Sequence, residues 1–482
     1  MPNFGCAEYR ALFSWRIWIA GRFYVMKVKE QSLLSATRSG FLLLACGLTL
    51  VISGCGSSSM TATQNAGNFK TTVFIGDSLT AGYQNGSLLD TQQPNGYANL
   101  IAQQAKFVLA LPLIAPPGAP NVMTLVSPGP PPVTGILDPG QTTTGRDDYS
   151  LQATDLGVPG ALVNDVMNTA PVLLPSTPEQ VITELVLGFP ALTNGVAQTQ
   201  FQSAVALDPT TLFVWIGNND ALVADETGTP SSMTPLSTFT TQFTQLMTSL
   251  SKQTNANLVV CNIPDVTLVA YLTPAAEVLA EASATSGIPA AKLSAILGIQ
   301  PASSTYAGDL VNPTGLAEVP LILTGKQAPP ITDSGFLSAA EVVQVQQMVL
   351  AYNQVIQQQA SAVGATLVDF HTVFAKTAAS GLTINGYTGN FGYLGGMFGL
   401  DGVHPTNTGY GVVANAFIDA MNANLKTTIP DVDLAAIAAK DPLWPPNIAA
   451  HFAAAPGQHI SAQAGQSLAW MFSRKSGTST PQ

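Results

Sequence analysis

The most informative segment of the chain reads Val73-Phe-Ile-Gly-Asp-Ser-Leu-Thr-Ala-Gly82. Its apolar, β-rich beginning predicts a buried strand, and the residues that follow predict a tight turn carrying Ser78 and then a helix-compatible stretch. A serine in such a turn lies at the carboxyl end of a strand, where open α/β sheets bind their ligands. Ser78 is therefore a candidate functional residue, although a serine in this place can also simply cap the next helix.

Short apolar runs elsewhere in the chain predict four more buried strands, at Ala153–Val158, Leu212–Gly217, Leu258–Ile263 and Thr366–Phe370. Helical patterns are clearest at Leu236–Lys252, Ser338–Val363 and Thr408–Leu425. Ser338 and Glu341 have the spacing of a capping box at the start of the second helix. Strands that alternate with helices predict an α/β fold with a central parallel sheet covered on both faces.

The predicted domain spans residues 71–425 and carries two segments that do not fit a strand–helix repeat. Residues 106–150 are dense in Pro and Gly, and residues 267–337 mix short helical pieces with proline-rich connectors. We interpret both as insertions that cover the site, because long loops in compact domains usually serve such a purpose or are disordered. Residues 426–482 are predicted to form a C-terminal extension that is partly disordered.

The beginning of the chain has the pattern of an export signal. An apolar run from Phe41 to Ile52 follows basic residues and ends in Ile52-Ser-Gly-Cys55, which predicts a signal region over residues 1–54. Met26 begins a conventional signal peptide by itself, so residues 1–25 are either part of the signal or a misassigned start. The last four residues resemble a bacterial lipobox, which implies lipidation at Cys55 and attachment to a membrane of the cell envelope. Residues 55–70 then read as a flexible tether.

The composition argues against nucleic-acid binding, and the hydropathy pattern argues against a membrane-spanning helix. The chain has 17 Lys+Arg against 28 Asp+Glu, and charged residues make up only 9%. Without a basic surplus there is no electrostatic basis for nucleic-acid binding. Mean hydropathy is positive at +0.27, but no run reaches the roughly 18 apolar residues that a membrane-spanning helix needs.

A base for Ser78 must come from a small set, since the chain has only four histidines, His371, His404, His451 and His459. A serine nucleophile needs an imidazole near neutral pH and a carboxylate that orients the ring. His404 follows Asp401 by three residues, and a loop of that length can fold back so that the two side chains meet. His371 competes for the role, but we expect Asp369 to be needed at the strand end and interpret His371 as structural. The other two histidines have no carboxylate nearby in sequence.

The blocks Gly76-Asp-Ser-Leu79 and Asp401-x-x-His404 resemble the first and last blocks of the SGNH hydrolases, also called the GDSL lipase/esterase family. Gly217-Asn-Asn-Asp220 is similar to the G-x-N-D block of that family, and Val158-Pro-Gly160 is similar to its glycine block. This chain has Pro159 where the family usually has Ser or Gly, and Asp155 where Asn is common. The resemblance implies a flavodoxin-like three-layer α/β/α sandwich.

The resemblance also implies a role for each matching residue. Ser78 would be the nucleophile, His404 the base and then the acid, and Asp401 the group that orients His404. The oxyanion hole would consist of the backbone N–H groups of Ser78 and Gly160 and the side-chain amide of Asn219. No cofactor is implied, and the sequence contains no metal-binding pattern and no phosphate-binding loop.

These features predict an exported serine esterase or lipase that hydrolyses carboxylic esters, from small molecules or lipids, through an acyl-enzyme intermediate. The loop from Gly381 to Gly402, rich in glycine and aromatic residues, suits an apolar acyl chain. Such loops also line sugar sites, so a carbohydrate O-acetyl esterase is an open alternative. A surface binding lipoprotein on an inactive hydrolase scaffold is a third possibility, against which the intact candidate residues argue. The oligomeric state is not readable from the sequence.

Overall fold

The architecture is that of a computed structural model, which describes residues 67–129, 132–141, 144–452, 460–461, 464, 468 and 471. The strands of these residues are β1 (Thr72–Gly76), β2 (Met123–Ser127), β3 (Val133–Ile136), β4 (Thr211–Trp215), β5 (Asn257–Cys261), β6 (Thr273–Pro274), β7 (Leu310–Val311), β8 (Phe336–Leu337), β9 (Thr366–Val368), β10 (Leu382–Ile384) and β11 (Tyr387–Gly389). The predictions for the signal region, for Cys55 and for all but the last residues of the tether lie outside the described residues.

The helices of the same residues are α1 (Tyr97–Ala105), α2 (Val163–Asn168), α3 (Pro178–Leu187), α4 (Gln200–Ala206), α5 (Asn218–Thr227), α6 (Leu236–Gln253), α7 (Ala275–Ser286), α8 (Ala290–Leu297), α9 (Pro313–Leu323), α10 (Ala339–Val363), α11 (Phe370–Ser380), α12 (Asn407–Asn424), α13 (Leu434–Ala438) and α14 (Pro445–Phe452). The capping box predicted for α10 is confirmed, because the Ser338 hydroxyl accepts from the Glu341 amide and the Glu341 carboxylate accepts from the Ser338 amide.

The central sheet is parallel and has the order β1-β4-β5-β9. Residues 153–158 lie along the free edge of β1, where the Phe74 amide donates to the Thr154 carbonyl and the Leu156 amide donates to the Phe74 carbonyl, both at 2.9 Å. Counting this segment as the second strand in the chain, the order across the sheet is 2-1-3-4-5, as in flavodoxin-like folds. The predicted α/β class with a central parallel sheet is confirmed.

Two sequence predictions around the sheet were wrong in detail. Residues 153–158 form an isolated bridge at Asp155 rather than a regular strand: the segment keeps backbone bonds to Phe74 and Gly76 of β1, and the Asp155 side chain accepts from the Gly157 amide within it. The stretch after Ser78 forms consecutive turns rather than a helix, because Gly82 takes a left-handed φ of 70° that ends the helical path.

Aromatic packing covers one face of the sheet. The rings of Phe74 and Phe213 stack at 4.2 Å, and Phe213 and Trp215 contact Phe417 of α12. Tyr97 of α1 packs on Phe417 at 4.8 Å, which joins the two helices over the strands. On the other side of the domain α6 packs along α10, where Phe239 and Tyr352 stack at 4.0 Å. Helices therefore flank the sheet as a three-layer sandwich.

The two predicted insertions have different structures. Within residues 106–150, β2 and β3 form an antiparallel hairpin. Residues 267–337 contain α7, α8, α9 and the short sheet β6-β7-β8, and these elements enclose a small hydrophobic core of their own around Leu279, Leu293 and Val311. The Asn312 side chain joins this insertion to α5 by donating to the Asp225 carbonyl at 2.9 Å.

The C-terminal extension packs against the domain along the part that the structure describes. Residues 426–452 include α13 and α14, and Trp444 and Ile448 are buried. Further along the chain Ile460, Leu468 and Met471 are buried in the main hydrophobic core. Among the helices of the described residues, none has both the length and the apolar character needed to cross a bilayer.

Candidate active site

Ser78 sits in the turn that follows β1. A Cβ on Gly76 would lie 2.5 Å from the Trp215 carbonyl oxygen, so only glycine allows the end of β1 to approach β4 this closely. The Asp77 carboxylate accepts from the Leu79 amide at 3.0 Å and shapes the turn around the serine. Ser78 is 4% exposed. The strand and the turn thus hold the hydroxyl at the carboxyl edge of the sheet, as the sequence predicts.

The loop before α12 brings Asp401 and His404 to the same edge. Asp401 Oδ1 accepts from the backbone amides of Val403 and His404 at 2.9 and 2.8 Å, which folds the loop back on itself. His404 Nδ1 lies 3.0 Å from Asp401 Oδ2, and His404 Nε2 lies 2.8 Å from Ser78 Oγ. The structure therefore brings Ser78, His404 and Asp401 together in one hydrogen-bonded chain.

The charge of Asp401 is stabilised despite its complete burial. Burial by itself would raise its pKa, but the charge and the ring N–H of His404, together with the amides of His404 and Val403, outweigh this effect and hold the pKa below its ordinary value. The Gly86 amide also donates to Asp401 Oδ2, at 2.7 Å. A buried carboxylate that remains ionised is the partner that a histidine needs when it takes up a proton.

Asn219 lies in the first turn of α5, directly after β4. Its side-chain amide donates to the Ala161 carbonyl at 3.0 Å. The next residue, Asp220, accepts from the Val163 amide at 3.0 Å. These two bonds fix the backbone of residues 161–163, and through it the position of Gly160, against the N-terminus of α5.

Gly160 occupies a turn whose geometry explains the unusual Pro159. The Ala161 amide donates to the Val158 carbonyl at 3.1 Å, and Gly160 has a φ of 78°. A turn with proline at its second position and a residue of positive φ at its third is type II, which favours the pair Pro-Gly. Among the described residues, the backbone N–H groups of Ser78 and Gly160 donate to no protein acceptor.

His371 lies apart from the Ser78 hydroxyl, in the first turn of α11. Its Nδ1 is 3.0 Å from the Ile263 carbonyl oxygen. Asp369 caps α11 by accepting from the amide and the hydroxyl of Thr372, and it also accepts from Asn262. His451 is exposed on α14, and His459 lies outside the described residues. The structural interpretation of His371 agrees with these contacts.

An apolar cavity opens beside the serine. Ser78, Asn219 and His404 contribute to its wall, and most other lining residues are apolar, among them Phe374, Phe391, Phe398, Val412 and Val413. The loop that delivers Asp401 and His404 supplies Phe391 and Phe398, and α11 and α12 supply the rest of this group. Gly160 is not one of the lining residues and joins the site through the bond between Asn219 and Ala161.

Two contacts at the site have no clear signal in the sequence. The ring of Tyr83 packs against the ring of His404 at a centroid distance of 4.6 Å. The Asn218 side chain donates to Asp77 Oδ2 at 2.9 Å, which links the turn after β4 to the turn after β1. Only the place of Asn218 inside the Gly217–Asp220 block could have suggested its role. Within the described residues, no cluster of His, Cys, Asp or Glu has the composition of a metal site.

Comparison with known proteins identifies the family. The family model described as GDSL-like Lipase/Acylhydrolase matches residues 72–417, which contain all four sequence blocks. The chain belongs to this family. It is accordingly an ester-hydrolysing serine hydrolase. A comparison with curated proteins found no match.

Solved structures to which the chain is similar include an alpha/beta hydrolase and an acetylxylan esterase. LAE5, an alpha/beta hydrolase enzyme from the metagenome of Lake Arreo, Spain, is 14% identical, with a TM-score of 0.32, and the match covers 73% of this chain and 94% of that one. Axe2, an acetylxylan esterase from Geobacillus stearothermophilus, is 11% identical, with a TM-score of 0.32 and coverage of 73% and 93%.

Proposed function

We propose that this family member is an exported serine esterase or lipase that hydrolyses esters of apolar carboxylic acids through an acyl-enzyme intermediate. The observation that carries the proposal is the hydrogen-bonded chain from Asp401 through His404 to Ser78, with distances of 3.0 and 2.8 Å. Those distances lie within the range that proton transfer between a nucleophile and its base requires.

In the first step Ser78 Oγ attacks the ester carbonyl carbon, and its proton passes to His404 Nε2. The carbonyl oxygen becomes an oxyanion, while His404 becomes an imidazolium that the Asp401 carboxylate stabilises. When the tetrahedral intermediate collapses, the bond to the alcohol breaks and the alkoxide oxygen takes the proton from His404. The alcohol leaves and the acyl group stays on Ser78. In the second step His404 takes a proton from water while the hydroxide attacks the acyl carbon. The second tetrahedral intermediate then collapses: the bond between the acyl carbon and Ser78 Oγ breaks, Ser78 Oγ takes the proton back from His404, and the acid is released.

The oxyanion would be stabilised by the N–H groups of Ser78 and Gly160 and by the side chain of Asn219. A side-chain amide nitrogen carries two hydrogens. One is donated to the Ala161 carbonyl, which fixes the amide plane, and in this proposal the other is directed to the oxyanion. Donors held in place before the reaction need no reorganisation when the charge develops, and each one typically contributes about 10²–10³ in turnover.

An apolar acyl group is supported by the aromatic and aliphatic wall of the cavity beside Ser78. Phe374 contacts Phe391 at 4.7 Å between ring centroids, and Phe391 contacts Phe398 at 5.1 Å. Transfer of a hydrocarbon chain from water into such surroundings lowers its free energy. The hydroxyls of a sugar would instead lose their hydrogen bonds to water without replacement. Membership of the family argues against a purely binding function.

The test is turnover of a series of p-nitrophenyl esters from acetate to palmitate, with acetylated xylan as a carbohydrate substrate. We expect the wild-type chain to prefer an acyl group longer than acetate and Ser78→Ala to lose both turnover and fluorophosphonate labelling. Ser237→Ala, at an exposed serine of α6, is the matched control and should behave as wild type. A preference for acetylated xylan would favour the O-acetyl esterase, and full labelling of Ser78→Ala would reject the proposed nucleophile.

Export and anchoring form a separate part of the proposal, which rests on residues 1–55 of the sequence. We propose that the signal is removed and that the lipidated Cys55 holds the enzyme at the cell envelope. Cys55→Ser should then leave the protein unprocessed or release it from membranes, as measured by fractionation and by the mass of the mature N-terminus. Membrane partition of a cleaved Cys55→Ser variant at the wild-type level would contradict the anchor.

A further inference from the structure

A two-residue turn directly after the nucleophile block contacts the loop that carries Asp401 and His404. The Gln84 amide donates to the Ser87 carbonyl at 2.9 Å, and the Ser87 amide donates to the Gln84 carbonyl at 3.0 Å. Between them Asn85 and Gly86 have φ values of 50° and 74°. Two positive φ values within a pair of mutual backbone bonds define a type I′ turn, for which Asn-Gly is the preferred sequence. The local sequence therefore fixes the shape of this turn.

Three consecutive residues of the turn bind the catalytic loop. Gln84 Nε2 donates to the Pro405 carbonyl at 3.1 Å. Asn85 Oδ1 accepts from the Leu400 amide at 2.8 Å. The Gly86 amide donates to Asp401 Oδ2 at 2.7 Å. The turn thus contacts the loop before, at and after the segment from Asp401 to His404, across more than 300 residues of sequence.

The bond from Gly86 is made to a particular oxygen. Asp401 Oδ2 is also the oxygen that faces His404 Nδ1, so Gly86 and the imidazole share one acceptor. A second donor on Oδ2 restricts rotation of the carboxylate about its χ2 bond and keeps that oxygen pointed at the ring. The type I′ geometry sets the direction of the Gly86 N–H. The conformation of the turn therefore affects the orientation of the Asp401 carboxylate and, through it, that of His404.

We propose that Asn85 is a positioning residue for catalysis, which acts through the Leu400 amide and the Gly86 N–H to hold Asp401, and thereby His404, in line with Ser78. The inference rests on the proposed roles of Asp401 and His404. Asn85 itself does not touch the reacting atoms. Its side chain is almost fully buried against the loop, and Gly399 leaves room for it, since a Cβ there would lie 2.8 Å from Asn85 Oδ1.

The decisive variant is Asn85→Gly, because glycine keeps the positive φ and removes the side chain with its carboxamide. The chain contains a matched control in Asn385, which forms the same Asn-Gly pair with φ values of 51° and 81° in the hairpin between β10 and β11. Asn385 is exposed. Asn385→Gly therefore repeats the same chemical change in the same kind of turn.

We expect Asn85→Gly to lower kcat by about 10- to 100-fold, because small errors in the placement of catalytic groups have effects of this size. KM should stay within about twofold of wild type, since the cavity wall is untouched. The acid-side midpoint of the pH profile of kcat/KM should also fall, because a carboxylate that points less directly at the ring stabilises the imidazolium less. A change that only loosened the fold would not move this midpoint.

Other ionisable groups near the pair are unchanged in these variants. Asp77 faces His404 from the turn after β1, and Tyr393 and Tyr410 face Asp401 from the loop and from α12. Burial raises the pKa of both tyrosines, so they remain neutral across the profile. Burial also raises the pKa of Asp77 to about 6, which places its titration within the profile of every variant. The test therefore compares the direction in which the acid-side midpoint moves in Asn85→Gly with its position in Asn385→Gly.

A second variant keeps the proposal testable if Asn85→Gly does not fold by near-ultraviolet circular dichroism. Asn85→Asp retains an oxygen acceptor for the Leu400 amide and adds a negative charge near the imidazolium, so it should raise the acid-side midpoint. The proposal would be overturned if folded Asn85→Gly kept the wild-type kcat and midpoint, or if Asn385→Gly lost as much kcat as Asn85→Gly. It would also be overturned if the midpoint of Asn85→Asp did not move. Persistent activity of Ser78→Ala would instead overturn the proposed function on which it rests.

Discussion

Asp155 gives a prediction in which stability depends on pH in a defined direction. It is fully buried beside β1, and its carboxylate accepts from the Gly157 amide at 3.1 Å. Burial raises its pKa from 3.8 to about 8, and the bond from Gly157 only partly opposes this. Between about pH 4 and pH 8 the folded chain therefore holds a proton that the unfolded chain has released.

The sign follows from this difference in bound protons. Stability falls as pH rises wherever the folded state binds more protons, at about 1.4 kcal/mol per pH unit for one group. From pH 5 to pH 7 Asp155 should therefore reduce the free energy of unfolding by about 3 kcal/mol. Asparagine has a similar shape, keeps the oxygen that accepts from Gly157 and does not titrate. The stability advantage of Asp155→Asn over wild type should grow by the same amount across this range.

The assay is urea-induced unfolding of both chains at pH 5, 6 and 7, followed by tryptophan fluorescence. Asp431→Asn, at an exposed position, removes a carboxylate from the surface and serves as the control. An advantage of Asp155→Asn that stays constant from pH 5 to pH 7 would refute the protonated state of the buried carboxyl group.

Three further predictions concern the site and the C-terminal extension. Asn219→Ala should lower kcat and kcat/KM by a similar factor of about 10²–10³ with little change in KM, because the lost donor acts in the transition state. His404→Ala should show no burst of alcohol in stopped-flow kinetics, whereas His371→Ala, if folded, should keep most activity; equal inactivity of the two would contradict the choice of base. Leu468→Ala should reduce the free energy of unfolding by about 2–5 kcal/mol in urea titrations, and a loss near zero would argue against its burial in the main core.

The sequence predicts the sheet and the edge at which the site lies, because its signals are local. Apolar β-rich runs mark β1, β4, β5 and β9 to within two residues at each end. The parallel arrangement then places the residues that follow β1 and β4 at one edge, where Ser78 and Asn219 lie. The loop from Asp401 to His404 is short enough that its folding back is also predictable.

Contacts between distant segments were not predictable in the same way. The bond from Gly86 to Asp401 and the bond from Asn218 to Asp77 join residues that are 315 and 141 positions apart. Nothing in the local pattern states which donor a carboxylate will meet. The separate hydrophobic core of residues 267–337 depends in the same way on the packing of α7, α8 and α9 against one another.

Three buried aspartates near the site differ in the donors and charges that their carboxylates meet. Asp155 accepts from the Gly157 amide, and its pKa is raised by burial to about 8. Asp77 accepts from Leu79 and Asn218, lies near His404, and has a pKa of about 6 after the same effect of burial. Asp401 accepts from three backbone amides and the imidazole.

The pKa of Asp401 is held below its ordinary value although its burial is equally complete, because the charge and the ring N–H of His404, together with the amides of His404 and Val403, favour the charged form. Of the three, only Asp401 has its pKa lowered, so it alone stays ionised across the mildly acidic and neutral range. The contacts that hold the Asp401 carboxylate toward the imidazole therefore matter to the base. For this reason we expect the Asn85–Gly86 turn, which supplies one of the donors to Asp401, to influence catalysis without contacting the substrate.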